Sequence, residues 1–315
     1  MSASPTPVPG PGARTAVGTG RTAPPPSVGA PGPSSGPGIL ERLRDPTPLV
    51  TVELRPPRAG LSSADSMDAW IDMHHAVRRF SGERRFVFVT DNAVGSAEEE
   101  NLSHLVANLG EGADPRRIVP FLTLKHSLEY CLVYAERAAA AGFEALAVLG
   151  GDHSVGAPRC LPHAHLLRAR LRERVPSLVL GGWANPHRDP AEQADFLAHP
   201  DCNADFFLSQ VVSHHSAGRV ESFLRAMEDR EVAAPGVFGV FYYRSANPDT
   251  LSRLSEFFPV PAAALTREFE GGATAEEVCA RSVRALLDAG ARCIYVSNLG
   301  LTRPEARLKR ILARV

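Results

Sequence analysis

The sequence predicts a closed (β/α)8 TIM barrel. Eight short apolar runs of strand length alternate with helical patterns, and parallel strands require such crossovers. Polar side chains gather directly after the apolar runs, as at Ser209-Gln210 after Phe206-Phe207-Leu208. The C-terminal ends of barrel strands are where such folds build their sites. No G-x-G-x-x-G follows an early strand, so an open, doubly wound dinucleotide-binding sheet fits less well.

Composition sets the bounds of this domain. Residues 1–38 hold 10 Pro, 8 Gly and no acidic side chain, a content that cannot offset the entropy of ordering a backbone. They read as a disordered arm, leaving 39–315 as a single catalytic barrel. The arm has no apolar run of secretory type; Arg14 and Arg21 resemble a transit peptide only faintly, since Pro and Gly would break an amphipathic helix. A formal net charge of −1 gives no basic excess for nucleic acid. No run approaches the 18 or so apolar residues of a membrane span. The five cysteines, widely spaced and without CxxC, read as free thiols in a reducing cytoplasm and not as a metal site.

The elements follow in order. Residues 39–44 form a short amphipathic segment suited to cover the barrel bottom. The first strand, 49–54, places Glu53 near its C-terminal end. That acid either pairs outward or faces a cavity as a proton donor. A helix over 64–80 carries Met67, Trp70, Ile71, His74, Val77 and Phe80 on one stripe, with His74 at the core edge and His75 outside. The second strand, 86–90, is β-branched and aromatic, as a strand buried on both faces should be. It is followed by a helix over 98–109, a strand over 118–124 with Lys125-His126 after it, and an Ala-rich helix over 128–141 closed by Gly142. The fourth strand, 144–149, runs into Gly150-Gly151-Asp152, which is either a tight turn or a place where a planar ligand comes close.

A helix over 163–173 precedes the fifth strand, 178–182, with Trp183, Asn185 and His187 after it. The helix 190–198 leads through Asp201-Cys202-Asn203-Ala204-Asp205 into the sixth strand, 206–210. His214-His215 follow, with no carboxylate at metal spacing, and read as structural or solvated. Further helices cover 220–227, 248–257, 259–269, 274–287 and 306–311, with strands at 237–241 and 293–296. Thr274 and Glu277 have the spacing of a capping box.

These runs together resemble one family. Ala204-Asp205-Phe206 with Gln210 is similar to the Ala-Asp-Phe-x-x-x-Gln stretch of methylenetetrahydrofolate reductases. Val52-Glu53-Leu54 with Pro56-Pro57 resembles their first strand, Phe88-Val89-Thr90 their second, and Pro120-Phe121-Leu122-Thr123 their Pro-His-Leu-Thr. Leu149-Gly150-Gly151-Asp152 resembles Leu-Arg-Gly-Asp, and Pro235-Gly236-Val237-Phe238 resembles Pro-Gly-Ile. Order and spacing hold over about residues 48–300. The resemblance implies a barrel with FAD at the strand C-termini, NADH or NADPH as reductant, and 5,10-methylenetetrahydrofolate as substrate. It implies Glu53 as the acid that opens the imidazolidine ring, Asp152 as the carboxylate tuning the flavin, and Thr90 as a flavin contact. Gln210, with Phe238 and Tyr242 on and after the seventh strand, would meet the folate.

The departures concentrate on the cofactor side. Phe121 stands where the family has His, Gly150 where it has Arg, Trp183 where it has Tyr, and His199 aligns with a Lys. Gly and a mostly neutral His cannot replace cationic clamps without weakening them. Three outcomes are open. FAD is held weakly at Gly150, Gly151 and their neighbours; Lys125 or His187 takes over; or hydride passes directly from NAD(P)H, stacked on Trp183 and Phe121. The main expectation is a reductase of 5,10-methylenetetrahydrofolate whose partner is the folate, with no nucleic acid and no membrane, the oligomeric state being open. The alternatives are a folate-binding barrel without turnover and a reductase of another one-carbon substrate.

Overall fold

Eight parallel strands close on themselves in sequence order. They are β1 Leu49–Leu54, β2 Val87–Val89, β3 Ile118–Thr123, β4 Ala145–Leu149, β5 Val179–Ala184, β6 Phe206–Val211, β7 Gly236–Phe241 and β8 Cys293–Ser297. The computed structural model describes residues 36–91, 102, 104–105, 112–151 and 157–315. Each boundary lies within two residues of its expected place. The arm read from composition lies outside the described residues up to position 35. Leu102, His104 and Leu105 are helical; the remainder of the helix expected over 98–109 lies outside the described residues.

Alternation along the strands divides the core in two. Val52, Val87, Leu122, Val148, Leu180, Phe207, Phe238, Val240 and Ile294 face the surrounding helices. Leu49, Phe88, Val119, Phe121, Ala147, Phe206, Leu208, Val237 and Tyr295 belong to a second cluster that fills the barrel. Barrel interiors are packed cores, not pores. Aromatic volume here is matched by absent side chains: a Cβ on Gly181 would lie 2.5 Å from the Phe206 ring, and one on Gly239 2.5 Å from the Tyr295 hydroxyl.

Local chemistry explains the outer elements. The helix Ala275–Asp288 starts at a true capping box, with Thr274 and Glu277 bonding reciprocally. Pro190 and Pro248 open their helices behind Asp189 and Asn247, whose side chains accept from the third backbone N–H beyond. In the helix Ser63–Gly82 the buried face is Trp70, Met73, Ala76, Val77 and Phe80. Met67 and Ile71 are 63% and 47% exposed, against expectation. Three- and four-residue spacing fits two adjacent stripes of this helix, and only one meets the barrel.

The helix Ile39–Arg44 covers the N-terminal end as expected. Ile39 and Leu43 are buried within the cluster that fills the barrel, and Ile39 N–H donates to Glu144 Oε1 at 3.0 Å. Truncating the plug should therefore cost core stability. Ile39→Ala is expected to lower the free energy of unfolding by about 2–5 kcal/mol, read from urea denaturation. A change below about 0.5 kcal/mol, the range of ordinary surface substitutions, would show that the helix only rests on the barrel.

Candidate functional site

The C-terminal ends of the strands form a polar rim above the aromatic interior. On β1, Leu49 belongs to the cluster inside the barrel, so Glu53, four residues on, shares that face. Its Oε1 accepts from Ser297 Oγ at 2.5 Å, across the β1–β8 seam. Tyr295 lies fully buried one step below, and its hydroxyl donates to the Ser209 carbonyl at 2.7 Å. Burial drives the phenol pKa far up, and the Glu53 charge adds to the effect. The acid thus sits half-buried on a floor that stays neutral.

Beside it, next to the expected flavin contact Thr90, β2 and β3 contribute Asp91, Thr123 and His126, to which the sequence reading gave no role. Thr90 is buried and its N–H extends the ladder to the Leu54 carbonyl. Asp91 Oδ2 accepts from Thr123 N–H at 2.9 Å and from Thr123 Oγ1 at 2.8 Å, and lies 2.8 Å from His126 Nε2. The His126 ring stacks on Tyr130 with centroids 4.5 Å apart. The only trace of this cluster in the sequence is a polar doublet after each of two buried strands.

At the end of β4 a cation returns by another route. A Cβ on Gly150 would lie 2.8 Å from Arg159 Nη2, so the guanidinium occupies the space a side chain at 150 would need. Arg159 Nη2 also donates to the Gly151 carbonyl at 2.5 Å. Gly151 has φ +72° and lies against the stem of Lys125, whose Cγ would be 2.8 Å from a Cβ there; both features need glycine. Phe121 is inside the barrel, tilted against Phe88 at 6.3 Å. Asp152 lies outside the described residues.

The β5–β7 side holds Trp183, half-buried against the interior cluster, and Gln210. A register irregularity between Leu208 and Val211 offsets β6 from β7. There Gln210 Oε1 accepts from Val211 N–H at 2.9 Å, while its Nε2 lies 3.4 Å from the Phe257 carbonyl. His187 Nε2 is 2.9 Å from the Val211 carbonyl, so it braces the β5 and β6 loops together.

Three expected contacts lie elsewhere. Phe238 packs edge-on to Phe207 and Phe223 on the helix-facing side of β7, because its alternation places it outward. Tyr242 is buried in the same outer layer, with the Arg307 guanidinium 5.6 Å from its ring centroid. His199 precedes β6 and so stands at the opposite end of the barrel, largely exposed, its Nδ1 accepting from Asp201 N–H at 3.1 Å. The structure therefore gathers Glu53, Thr90, Gly150, Gly151, Trp183 and Gln210 at one end and leaves these three out. His214 and His215 also differ from expectation, since Glu268 brings a carboxylate to them.

Fold and rim together define a (β/α)8 barrel protein with a polar, acid-bearing C-terminal end. No family model matches the chain, and no curated protein matches it. Its structure is similar to an uncharacterised protein from Clostridium thermocellum that binds two copies of 5-methyl-5,6,7,8-tetrahydrofolic acid. That likeness has 15% identity and a TM-score of 0.62, covering 85% of this chain and 94% of the other. Pyruvate carboxylase from Rhizobium etli is also similar, at 12% identity and a TM-score of 0.50, over 86% of this chain and 25% of the enzyme. At these identities the likeness establishes the barrel fold. No helix among the described residues is long and apolar enough to cross a membrane.

Burial lowers the pKa of His74, His165, His187 and His214 alike. A histidine whose folded pKa is depressed contributes stability that is complete above the unfolded value, about 6.5, and is lost as pH falls from there towards the folded value. Unfolding free energy should therefore drop on acidification below about pH 6.5. His187→Gln should make that drop shallower, as read from urea midpoints at pH 7.5 and 5.5. An unchanged difference would show that the folded His187 ring takes up a proton as readily as the unfolded one.

Proposed function

We propose that the C-terminal end of the barrel binds a reduced folate, and that Glu53 serves as the acid for its reduction by NAD(P)H. The observation that carries this reading is the placement of Glu53. Its half-buried carboxyl is held by Ser297 above an aromatic floor, at the strand C-terminal end where barrels of this kind build their sites. The likeness to a barrel that binds 5-methyltetrahydrofolic acid supports the choice of ligand. Trp183 offers a flat face for a pterin. Gln210 offers the donor and acceptor of a side-chain amide, with one N–H and a lone pair beyond the bonds it already makes.

The chemistry needs one proton and one hydride. Glu53 gives a proton to N10 of 5,10-methylenetetrahydrofolate as the bond from N10 to the bridging carbon breaks. The N5 lone pair then forms an iminium with that carbon. Hydride from NAD(P)H adds to the carbon, leaving 5-methyltetrahydrofolate and NAD(P)+. Glu53, half-exposed, recovers its proton from water. A dinucleotide would be held at β4, where Arg159 beside Gly150 and Lys125 beside Gly151 would bind its pyrophosphate, whether of NAD(P)H or of FAD. When bound, FAD supplies a two-electron relay between NAD(P)H and the folate. A second reading, a folate-binding barrel without turnover, is favoured by the C. thermocellum protein, which binds 5-methyl-5,6,7,8-tetrahydrofolic acid.

Two measurements separate these readings. Glu53→Gln should lower folate-dependent NAD(P)H oxidation about 10²–10⁴-fold, while affinity for 5-methyltetrahydrofolate, by calorimetry, stays within about threefold, well short of that range. Parent protein that binds the folate but oxidises no NAD(P)H would establish the binding reading; absence of folate binding would remove both. Arg159→Ala should raise KM for NAD(P)H roughly tenfold, the size of one charge-assisted hydrogen bond. An unchanged KM would place the dinucleotide elsewhere.

A further inference from the structure

His214 and His215 lie in a short turn after β6, and Glu268 comes from the helix Ala262–Glu270. Glu268 Oε1 is 2.9 Å from His214 Nε2 and 2.5 Å from His215 Nε2. The two imidazoles are stacked obliquely with centroids 3.9 Å apart. Three ligand atoms of two elements thus converge on one point. We propose that His214, His215 and Glu268 form a site for a divalent transition-metal ion of the zinc class, made of residues other than those of the rim that carries Glu53.

The donor set has the right chemistry. Two imidazole nitrogens and one carboxylate oxygen are a ligand combination zinc accepts, and three protein ligands leave a fourth position open. The supporting contacts have the form that orients metal ligands. His214 Nδ1 lies 2.9 Å from Ser282 Oγ, and that hydroxyl reaches the Val278 carbonyl at 3.3 Å. If Nδ1–H donates to Ser282 and the hydroxyl donates onward, Nε2 presents its lone pair to the point of convergence. Metal-bound histidines almost always engage their second nitrogen in this way. Arg281 Nη1 binds the other carboxylate oxygen, Oε2, at 2.5 Å and leaves Oε1 to face the imidazoles.

Space lies open beside His214. A cleft of about 420 Å³ is bordered by His214, Arg281, Arg284 and Asp288. In the metal-free protein the two ring nitrogens lie against one carboxylate oxygen; an ion would take its place between them and draw the three atoms into its own coordination distances. Glu268 and His214 are largely buried and positioned by helices, so little ordering is left for binding to impose.

The test uses the full chain, stripped with a chelator and dialysed. Zinc titration by calorimetry should give one ion per chain, and cobalt should develop the visible bands of tetrahedral coordination. His215→Ala and Glu268→Gln should each weaken zinc by more than the roughly ten- to hundredfold that loss of an outer partner costs, and Ser282→Ala by about that range. His199→Ala, at the other end of the barrel, should leave the titration unchanged. Because His215 is exposed, its variant is expected to keep the parent's unfolding curve and decides the matter even if Glu268→Gln destabilises the fold. Failure of the parent to bind zinc or cobalt, or undiminished binding by folded His215→Ala, would overturn the site.

Discussion

The pairing of β1 with β8 is the constraint on which the molecule rests. Leu49 through Val52 align with Cys293 through Val296, and this ladder turns a twisted row of strands into a closed wall. Closure removes both sheet edges and gives every strand an inside and an outside. An inward residue near a strand's C-terminal end then has only one place to go, the rim. Glu53 and Ser297 meet because the seam puts their strands side by side. Tyr295, Gly239 and Ser209 interlock across three neighbouring strands directly below them.

Much of this was legible in the chain. Strand identity followed from apolar runs bounded by polar doublets, helix starts from Thr274/Glu277 and the Asp-Pro and Asn-Pro pairs, and barrel closure from the number and order of strands. The inward placement of Glu53 agrees with its position near a strand end. What failed was orientation and distance. Phe238 and Gly239 are neighbours, yet alternation sends the phenyl ring to the helices and leaves the glycine against Tyr295. His199 is close to β6 in sequence, but it precedes the strand and so stands at the end remote from Gln210. Side-chain type alone contains neither fact.

Long-range compensation was the other hidden feature. Position 150 has lost a side chain, and taken alone that reads as a missing cation. The guanidinium of Arg159 fills the same volume from nine residues further along, which no local pattern signals. Asp91 with His126, and Glu268 with His214 and His215, are likewise assembled only by folding. A local motif records which residues are adjacent in the chain, whereas a site in a barrel is made from the ends of separate strands.

The seam also sets the order of events during synthesis. Glu53 and Ser297, which meet across it, are 244 residues apart. At about 5–20 residues per second, a ribosome would release β8 on the order of ten seconds to a minute after β1. Through that interval the outer edge of β1 has no permanent neighbour, and the apolar face of Ile39 and Leu43 has no finished barrel to plug. Unpaired edges and exposed apolar faces are what nascent chains aggregate through. The last strand to emerge is thus the one that completes the wall.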